Sequence, residues 1–167
     1  MTKIKDIMTK NVIACSPDTP IKEAARLMYL NGLTGIPVLN EKDEVVGIIT
    51  EYDLIRIEDH LHLPVTFAFL GSIVALDNPL NGDEVEKQLK KLMATKVEEL
   101  MTKDVVTISP EAAIEDAAEL FLHKKVNPVP VVENGKLVGI ISRADVVKVI
   151  AGDEELRKSE WKELIKK

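Results

Sequence analysis

Two short segments of the chain pair a hydroxyl with a carboxylate at the same spacing. Thr50 stands three residues before Asp53, and Ser142 stands three residues before Asp145. Each pair follows an apolar run, so we expect a strand to end there and a helix to begin. At such a helix start, a hydroxyl and free backbone N–H groups can bind an anion, and an ionised Asp can accept hydrogen bonds from a vicinal diol. The spacing therefore allows a polar binding site in each segment.

The same spacing also fits a capping box, which needs no ligand. In that interpretation Thr50 and Ser142 cap their helices, and Asp53 and Asp145 return a hydrogen bond to the backbone of the capping residue. The residues taken by themselves leave both interpretations open.

Residue patterns typical of enzymes are missing from the sequence. It contains no Walker glycine loop, no Gly-x-Gly-x-x-Gly and no Gly-x-Ser-x-Gly. His60 and His62 form a His-x-His pair without a third ligand for zinc, and the single Cys15 cannot form an internal disulfide. We therefore expect no catalysis, no catalytic cofactor and no metal site.

The chain repeats its own pattern once. Ile7-Met8-Thr9 recurs as Leu100-Met101-Thr102, at an offset of 93 residues, whereas Asp53 recurs as Asp145 at an offset of 92. The lost residue falls in a turn, where the second copy has an Asn-Gly pair that favours a type I′ hairpin. Each copy is predicted as strand, helix, strand, strand, helix. The fold class is therefore α+β, close to α/β, with two pseudo-two-fold related β-α-β-β-α units that need each other for burial.

The repeat divides the chain into four parts. Residues 1–60 hold the first motif, residues 61–96 a linker with an apolar stretch and a helix, residues 97–150 the second motif, and residues 151–167 a terminal helix. The linker either lines an intersubunit surface or covers the edge of its own module, and both alternatives stay open.

Charge and hydropathy exclude several classes of partner. A formal charge of −6 argues against nucleic acid, whose binding depends on Lys and Arg. The longest apolar run, residues 61–76, is interrupted by His62, Pro64 and Gly71 and falls short of the roughly 20 residues of a membrane span. The first ten residues lack the apolar core of a secretory signal, so we expect a cytoplasmic protein.

The combined pattern resembles a tandem pair of cystathionine-β-synthase-type (CBS) domains. Both copies contain Gly-apolar-apolar-Thr/Ser-x-x-Asp after an apolar-Pro-Val strand and an Ile/Leu-Met-Thr opening. The resemblance covers the chain apart from residues 56–96 and the tail. It implies a regulatory module that binds AMP, ADP, ATP, S-adenosylmethionine or a related adenosyl ligand in the cleft between the two motifs. The alternative is a ligand-free module for dimerisation or docking.

The resemblance also implies roles for individual residues. Asp53 and Asp145 would bind the ribose hydroxyls, with Thr50 and Ser142 near phosphate. The residues expected around adenine are Ile13, Thr34, Ile36 and Ile48 in one half, and Val106, Asn127, Val129 and Ile140 in the other. Pro37 and Pro130 lack an N–H and suit a strand start beside a cleft.

Two further expectations concern charge and assembly. The second motif has Arg143 where the first has Glu51, so the Asp145 half should favour ADP or ATP, because a guanidinium can bind phosphate directly. CBS pairs resemble half-disks that associate, and the linker and tail provide surplus apolar surface. The resemblance therefore implies a homodimer, with an unidentified regulated protein as a possible partner.

Overall fold

A computed structural model describes residues 2–56 and 95–151. The elements in chain order are α1 (Ile4–Ile7), α2 (Ile21–Asn31), β1 (Gly35–Leu39), β2 (Val45–Thr50), α3 (Glu51–Ile55), α4 (Val97–Leu100), α5 (Ile114–Glu119), a π-helical turn (Leu120–Lys124), β3 (Val129–Glu133), β4 (Lys136–Ile141) and α6 (Arg143–Ile150). The predicted linker helix and apolar stretch, the His60 and His62 pair, and the terminal helix lie outside the described residues.

The chain folds into two compact units whose membership does not follow the chain order. One unit contains Met1–Asn11 together with Val106–Lys167, and the other contains Val12–Val105. We call them the first-motif unit, which holds Asp53, and the second-motif unit, which holds Asp145. The segment that opens each sequence copy therefore belongs to the unit built mainly from the other copy.

Each unit is built around one antiparallel hairpin. In the first-motif unit β1 pairs with β2, with Ile36 opposite Ile49. In the second-motif unit β3 pairs with β4 through a two-residue loop, Asn134 and Gly135, whose φ angles of 50° and 79° are both positive. Positive φ at both central residues is what a type I′ turn requires, so the prediction from the Asn-Gly pair is confirmed.

Each hairpin is extended by one isolated bridge at each of its two edges, and the bridge to β3 joins Ile108 and Val131 in parallel. In the first-motif unit Cys15 pairs in parallel with Val38 on β1, and Thr102 exchanges two backbone hydrogen bonds with Ile48 on β2, at 2.9 and 3.0 Å. In the second-motif unit Thr9 exchanges two bonds with Ile140 on β4, both at 2.9 Å. The Ile/Leu-Met-Thr segment thus covers the outer edge of each hairpin, which would otherwise expose unpaired N–H and C=O groups.

The methionine of the same segment packs onto a glycine of the covered strand. A Cβ built on Gly47 would overlap the Met101 side chain, and one on Gly139 would overlap Met8. Since neither glycine has a positive φ, the lack of a side chain, rather than backbone freedom, is what these positions require. A glycine inside a strand therefore marks a close approach of another part of the chain.

Small residues let helices α2 and α5 pack closely on the hairpins of their units. Ala24 on α2 and Ala117 on α5 have no exposed surface. The side chains that form the hydrophobic core cluster of the first-motif unit are Ile21, Ala24, Met28, Ile36, Val38, Ile49 and Val97. Those of the second-motif unit are Ile4, Ile108, Ala117, Phe121, Val129, Val131 and Ile141.

The two copies differ where this helix ends. Helix α2 stops at Gly32, which is left-handed with φ 61°. In the second copy α5 passes into the π-helical turn, and the left-handed residue after it is Lys125, with φ 55°. A left-handed conformation costs a residue with a Cβ roughly 1–2 kcal/mol, a cost that glycine avoids.

The start of each sequence copy, which packs in the unit of the other copy, is an interchanged segment. Ion pairs at equivalent positions join each interchanged segment to the rest of its unit. Lys96 pairs with Asp18 in the first-motif unit, and Lys3 with Glu111 in the second-motif unit, where Lys5 adds a second contact. Hydrogen bonds from Lys3 and Lys5 lower the pKa of Glu111 to about 2. Because this carboxyl group is more acidic in the folded than in the unfolded chain, its contribution to stability is present above its ordinary pKa and is lost as the pH falls towards 2.

The glycine and methionine contact predicts a coupled loss of stability. Gly47→Ala should lower the free energy of unfolding by about 1–3 kcal/mol, since a methyl group would displace Met101. The same substitution in a Met101→Ala background should cost much less, because the space is then open. Urea denaturation of the four proteins in this cycle measures the coupling. Strictly additive losses would show that the two side-chain positions do not compete for space.

Candidate functional site

The first motif folds its carboxylate back onto the end of β2. Asp53 Oδ2 accepts one hydrogen bond from the Thr50 backbone N–H at 2.9 Å and another from Thr50 Oγ1 at 2.7 Å. The bond from the Asp53 backbone N–H to Thr50 Oγ1 is long, at 3.4 Å. The hydroxyl is therefore chiefly a donor to the carboxylate.

The second motif repeats this arrangement and adds a cation. Asp145 Oδ2 accepts from the Ser142 backbone N–H at 2.8 Å and from Ser142 Oγ at 2.7 Å. Its other oxygen, Oδ1, accepts from Lys148 Nζ at 3.1 Å. Asp145 is only 7% exposed, so this carboxylate is buried beside its three donors.

The bonding supports the capping interpretation for the local geometry. In both motifs the carboxylate satisfies the backbone N–H of the residue before the helix, as a capping box requires. A carboxylate has two oxygens, however, and capping uses only Oδ2 in each motif. Capping and ligand binding are therefore compatible, because the Oδ1 atoms take no part in the cap.

The backbone amides at these helix starts are less available than the sequence suggested. The N–H of Glu51, the first residue of α3, donates to the Thr34 carbonyl at 3.0 Å. The N–H of Arg143, the first residue of α6, donates to Asn127 Oδ1 at 2.9 Å. The expectation of free N–H groups at these two residues is wrong, because first-turn amides lack partners within their helix and neighbouring oxygens satisfy them. Thr34 and Asn127 thus contact the two motifs directly.

The remaining predicted residues divide by burial. Ile36, Pro37, Val129 and Pro130 are fully buried within their units, so their side chains present no exposed surface to a ligand. Ile48 is 8% exposed, whereas Ile13, Val106 and Ile140 are half-buried and Thr34 is exposed. The predicted residues 13–53 all lie in the first-motif unit, and residues 106–145 all lie in the second-motif unit.

Cationic side chains follow each motif, and sequence reasoning missed one of them. Lys148 was not predicted, although Asp and Lys three residues apart on a helix are neighbours, so the spacing was a usable signal. Arg143, which was predicted, is exposed and has Nη2 3.5 Å from the Phe121 carbonyl. In the first motif the Arg56 guanidinium lies over the Tyr52 ring, 5.6 Å from its centroid.

The described residues offer neither a cluster of metal-binding side chains nor a membrane-spanning helix. Within residues 2–56 and 95–151, no cluster of three or more His, Cys, Asp or Glu side chains could hold a metal ion. None of the helices described there is long and apolar enough to cross a bilayer.

Known proteins share this pattern along most of the chain. A sequence model described as the CBS domain matches residues 4–60 and 97–152. The uncharacterized protein MJ1426 of Methanocaldococcus jannaschii is 34% identical over 154 residues, which is 88% of this chain and 90% of that protein. The chloroplastic CBS domain-containing protein CBSX1 of Arabidopsis thaliana is 32% identical over 149 residues, and this stretch covers 87% of the chain but 62% of that protein.

A solved crystal structure has the same fold as this chain. The crystal structure of CBSX2 in complex with AMP superposes with a TM-score of 0.66 and 27% sequence identity. The match covers 91% of this chain and 98% of the CBSX2 chain.

The hydrogen bonds of Asp145 predict that its capping role and its negative charge contribute separately to the free energy of unfolding. Asp145→Ala should lower the free energy of unfolding by about 1–2 kcal/mol, because the Ser142 N–H loses its acceptor. Asp145→Asn should cost less than half of that, since an amide oxygen can still accept both bonds from Ser142. Urea denaturation of the two variants measures the difference. Equal losses would contradict a capping role for the Asp145 oxygen.

Proposed function

Because this chain belongs to the CBS domain family, we propose that it is a regulatory module that binds an adenosyl ligand, such as AMP, and performs no catalysis. The ligand would bind through the Thr50–Asp53 and Ser142–Asp145 motifs. The CBSX2 structure, at 27% identity, contains AMP, which supports this class of ligand for the family.

The observation that supports the proposal most directly is the geometry of the two carboxylates. Each is held in place by two hydrogen bonds to Oδ2, from the hydroxyl and the backbone of the residue three positions earlier. A fixed carboxylate binds a diol at less entropic cost than a mobile side chain would. The ribose of an adenosyl ligand supplies two such hydroxyls, so we assign Asp53 and Asp145 as its acceptors.

The adenine ring requires apolar surface next to these carboxylates. Of the residues expected around it, Ile13, Val106 and Ile140 are half-buried and can offer side-chain surface. Ile36 and Val129 are in the cores of their units, so a ligand would reach them only through backbone atoms. We therefore propose that the adenine contacts come mainly from the half-buried residues and from Ile48.

Phosphate groups would depend on side chains rather than on the helix start. The N–H groups of Glu51 and Arg143 already have acceptors, which removes part of the anion site that the sequence suggested. Arg143 remains exposed, and a guanidinium can form charge-assisted, bidentate hydrogen bonds with phosphate. We propose that Arg143 favours ADP or ATP at the second motif, whereas Glu51 disfavours phosphate at the first.

A nucleotide panel tests the proposed function. Thermal unfolding with adenosine, AMP, ADP, ATP and S-adenosylmethionine should show stabilisation that GMP and UMP do not produce, and a ligand at 100 times its Kd adds about 2.7 kcal/mol. Asp53→Asn and Asp145→Asn should each weaken binding at their own motif by at least roughly tenfold, the effect of one lost hydrogen bond to a charged group. Absence of any shift in the wild-type protein at millimolar ligand would refute the proposal.

A second copy of the chain is the partner that we propose. Helices α2 and α3 expose apolar side chains that fit an interface, with Tyr29 79% and Tyr52 67% exposed, beside Leu30 and Ile55. The corresponding helices of the second-motif unit expose Leu122, Val147 and Ile150. Exposed apolar side chains on the corresponding helices of both units favour association of two chains through these helices in a homodimer.

Light scattering at tens of micromolar should give twice the mass of one chain. Replacing Tyr52 and Ile55 by Glu should shift the mass towards the monomer, because charge on both faces of an isologous interface repels. Lys22→Glu, an exposed change elsewhere on α2, is the matched control and should leave the dimer intact. A monomeric wild-type protein would show that these side chains serve another purpose.

A further inference from the structure

The second motif differs from the first in that its carboxylate already holds a cation. Asp145 Oδ2 accepts hydrogen bonds from the backbone N–H and the hydroxyl of Ser142, and Oδ1 accepts from Lys148 Nζ at 3.1 Å. The Lys148 side chain is 58% exposed, whereas that of Asp145 is 9% exposed. A largely exposed ammonium group is thus paired with a buried carboxylate.

The first motif lacks this contact in the part of the chain that the structure describes. There the hydrogen bonds of the Asp53 side chain all go to Oδ2, from Thr50. The position equivalent to Lys148 is Arg56, which lies over the Tyr52 ring. The two motifs therefore share a cap but differ at Oδ1, the oxygen that the cap does not use.

We propose that Lys148 determines ligand specificity at the second motif by competing with the ligand for Asp145 Oδ1. The inference rests on the proposed function, in which this carboxylate binds the ribose hydroxyls. An uncharged nucleoside must displace the ammonium group and gives it no new partner. A nucleotide displaces it too, but its phosphate offers the ammonium group an anion, so the lost contact is replaced. Lys148 therefore selects for anionic ligands.

The partial burial of the pair is what makes the competition matter. Ion pairs between two exposed side chains contribute little, since water and salt screen both charges. Here the carboxylate is buried, so removing its cation leaves a charge with less compensation and a stronger tendency to accept hydrogen bonds from hydroxyls. The flexible stem of lysine lets the ammonium group leave Asp145 without a change in the helix backbone.

Calorimetric titration with adenosine and ATP tests the role of Lys148. The titrations use the full chain in an Asp53→Asn background, so that binding reports on the second motif. Lys148→Met should strengthen adenosine binding and weaken ATP binding, lowering the ratio of the adenosine Kd to the ATP Kd by about tenfold, the effect of one hydrogen bond to a charged group. Lys148→Arg keeps the charge and should preserve the wild-type ratio within about threefold.

Lys136→Met is the matched control, because it removes one positive charge at the far end of β4. Lys136 is exposed and lies six residues before Ser142 in sequence, about 20 Å away at the rise of a strand. In Lys136→Met, the ratio of the adenosine Kd to the ATP Kd should stay at the wild-type value. Circular dichroism checks that each variant is folded.

The outcomes separate the role of Lys148 from the proposed function. Lack of binding by the wild-type chain to every adenosyl compound would remove the proposed function, and the inference with it. Binding by the wild type with an unchanged ratio in Lys148→Met would overturn the inference alone. Equal losses for adenosine and ATP would assign Lys148 a structural role, and a matching shift in Lys136→Met would indicate a general charge effect; either result also overturns it.

Discussion

The fold depends on how the outer edge of each hairpin is covered. A two-stranded hairpin is at best marginally stable in water, and its free edge invites pairing with other chains. Thr102 pairs with Ile48, and Thr9 pairs with Ile140, so each edge is closed by the segment that opens the other copy. Because the covering methionine lies directly on the strand, the strand must have a glycine beneath it, which explains the glycine of the repeated motif.

This interchange of segments places each candidate motif at the end of the strand that the interchanged segment covers. Strand β2 runs directly into Thr50, and β4 runs into Ser142, so the motif begins where the covered strand ends. The carboxylate three residues later then folds back and fixes the turn from strand to helix. Under the proposed function, the carboxylate that caps the helix would then also bind the ligand, so one side chain would serve both stability and recognition.

The two copies keep their buried residues alike and differ at exposed ones. Glu51 corresponds to Arg143, and Arg56 to Lys148, while the apolar cores of the two units match in size and character. Substitutions at exposed positions cost little stability, since no buried contact changes. Charge next to the carboxylates can therefore vary between the copies without altering the scaffold, and under the proposed function this variation would let the two motifs bind different ligands.

The amino-acid sequence alone was sufficient for features that depend on near neighbours in the chain. Its offsets indicated the repeat, and Asn134-Gly135 predicted the type I′ turn. The spacing of Thr50 and Asp53 offered a cap as one of two interpretations. Turns and caps join residues two to four positions apart, so such features can be read from local spacing. Only the tertiary structure decided which segment covers which hairpin. It also decided that the Glu51 N–H donates its hydrogen bond to the Thr34 carbonyl. It also buried Ile36 and Val129 away from the surface. Such contacts join residues far apart in the chain, so they depend on how the whole unit packs rather than on local spacing.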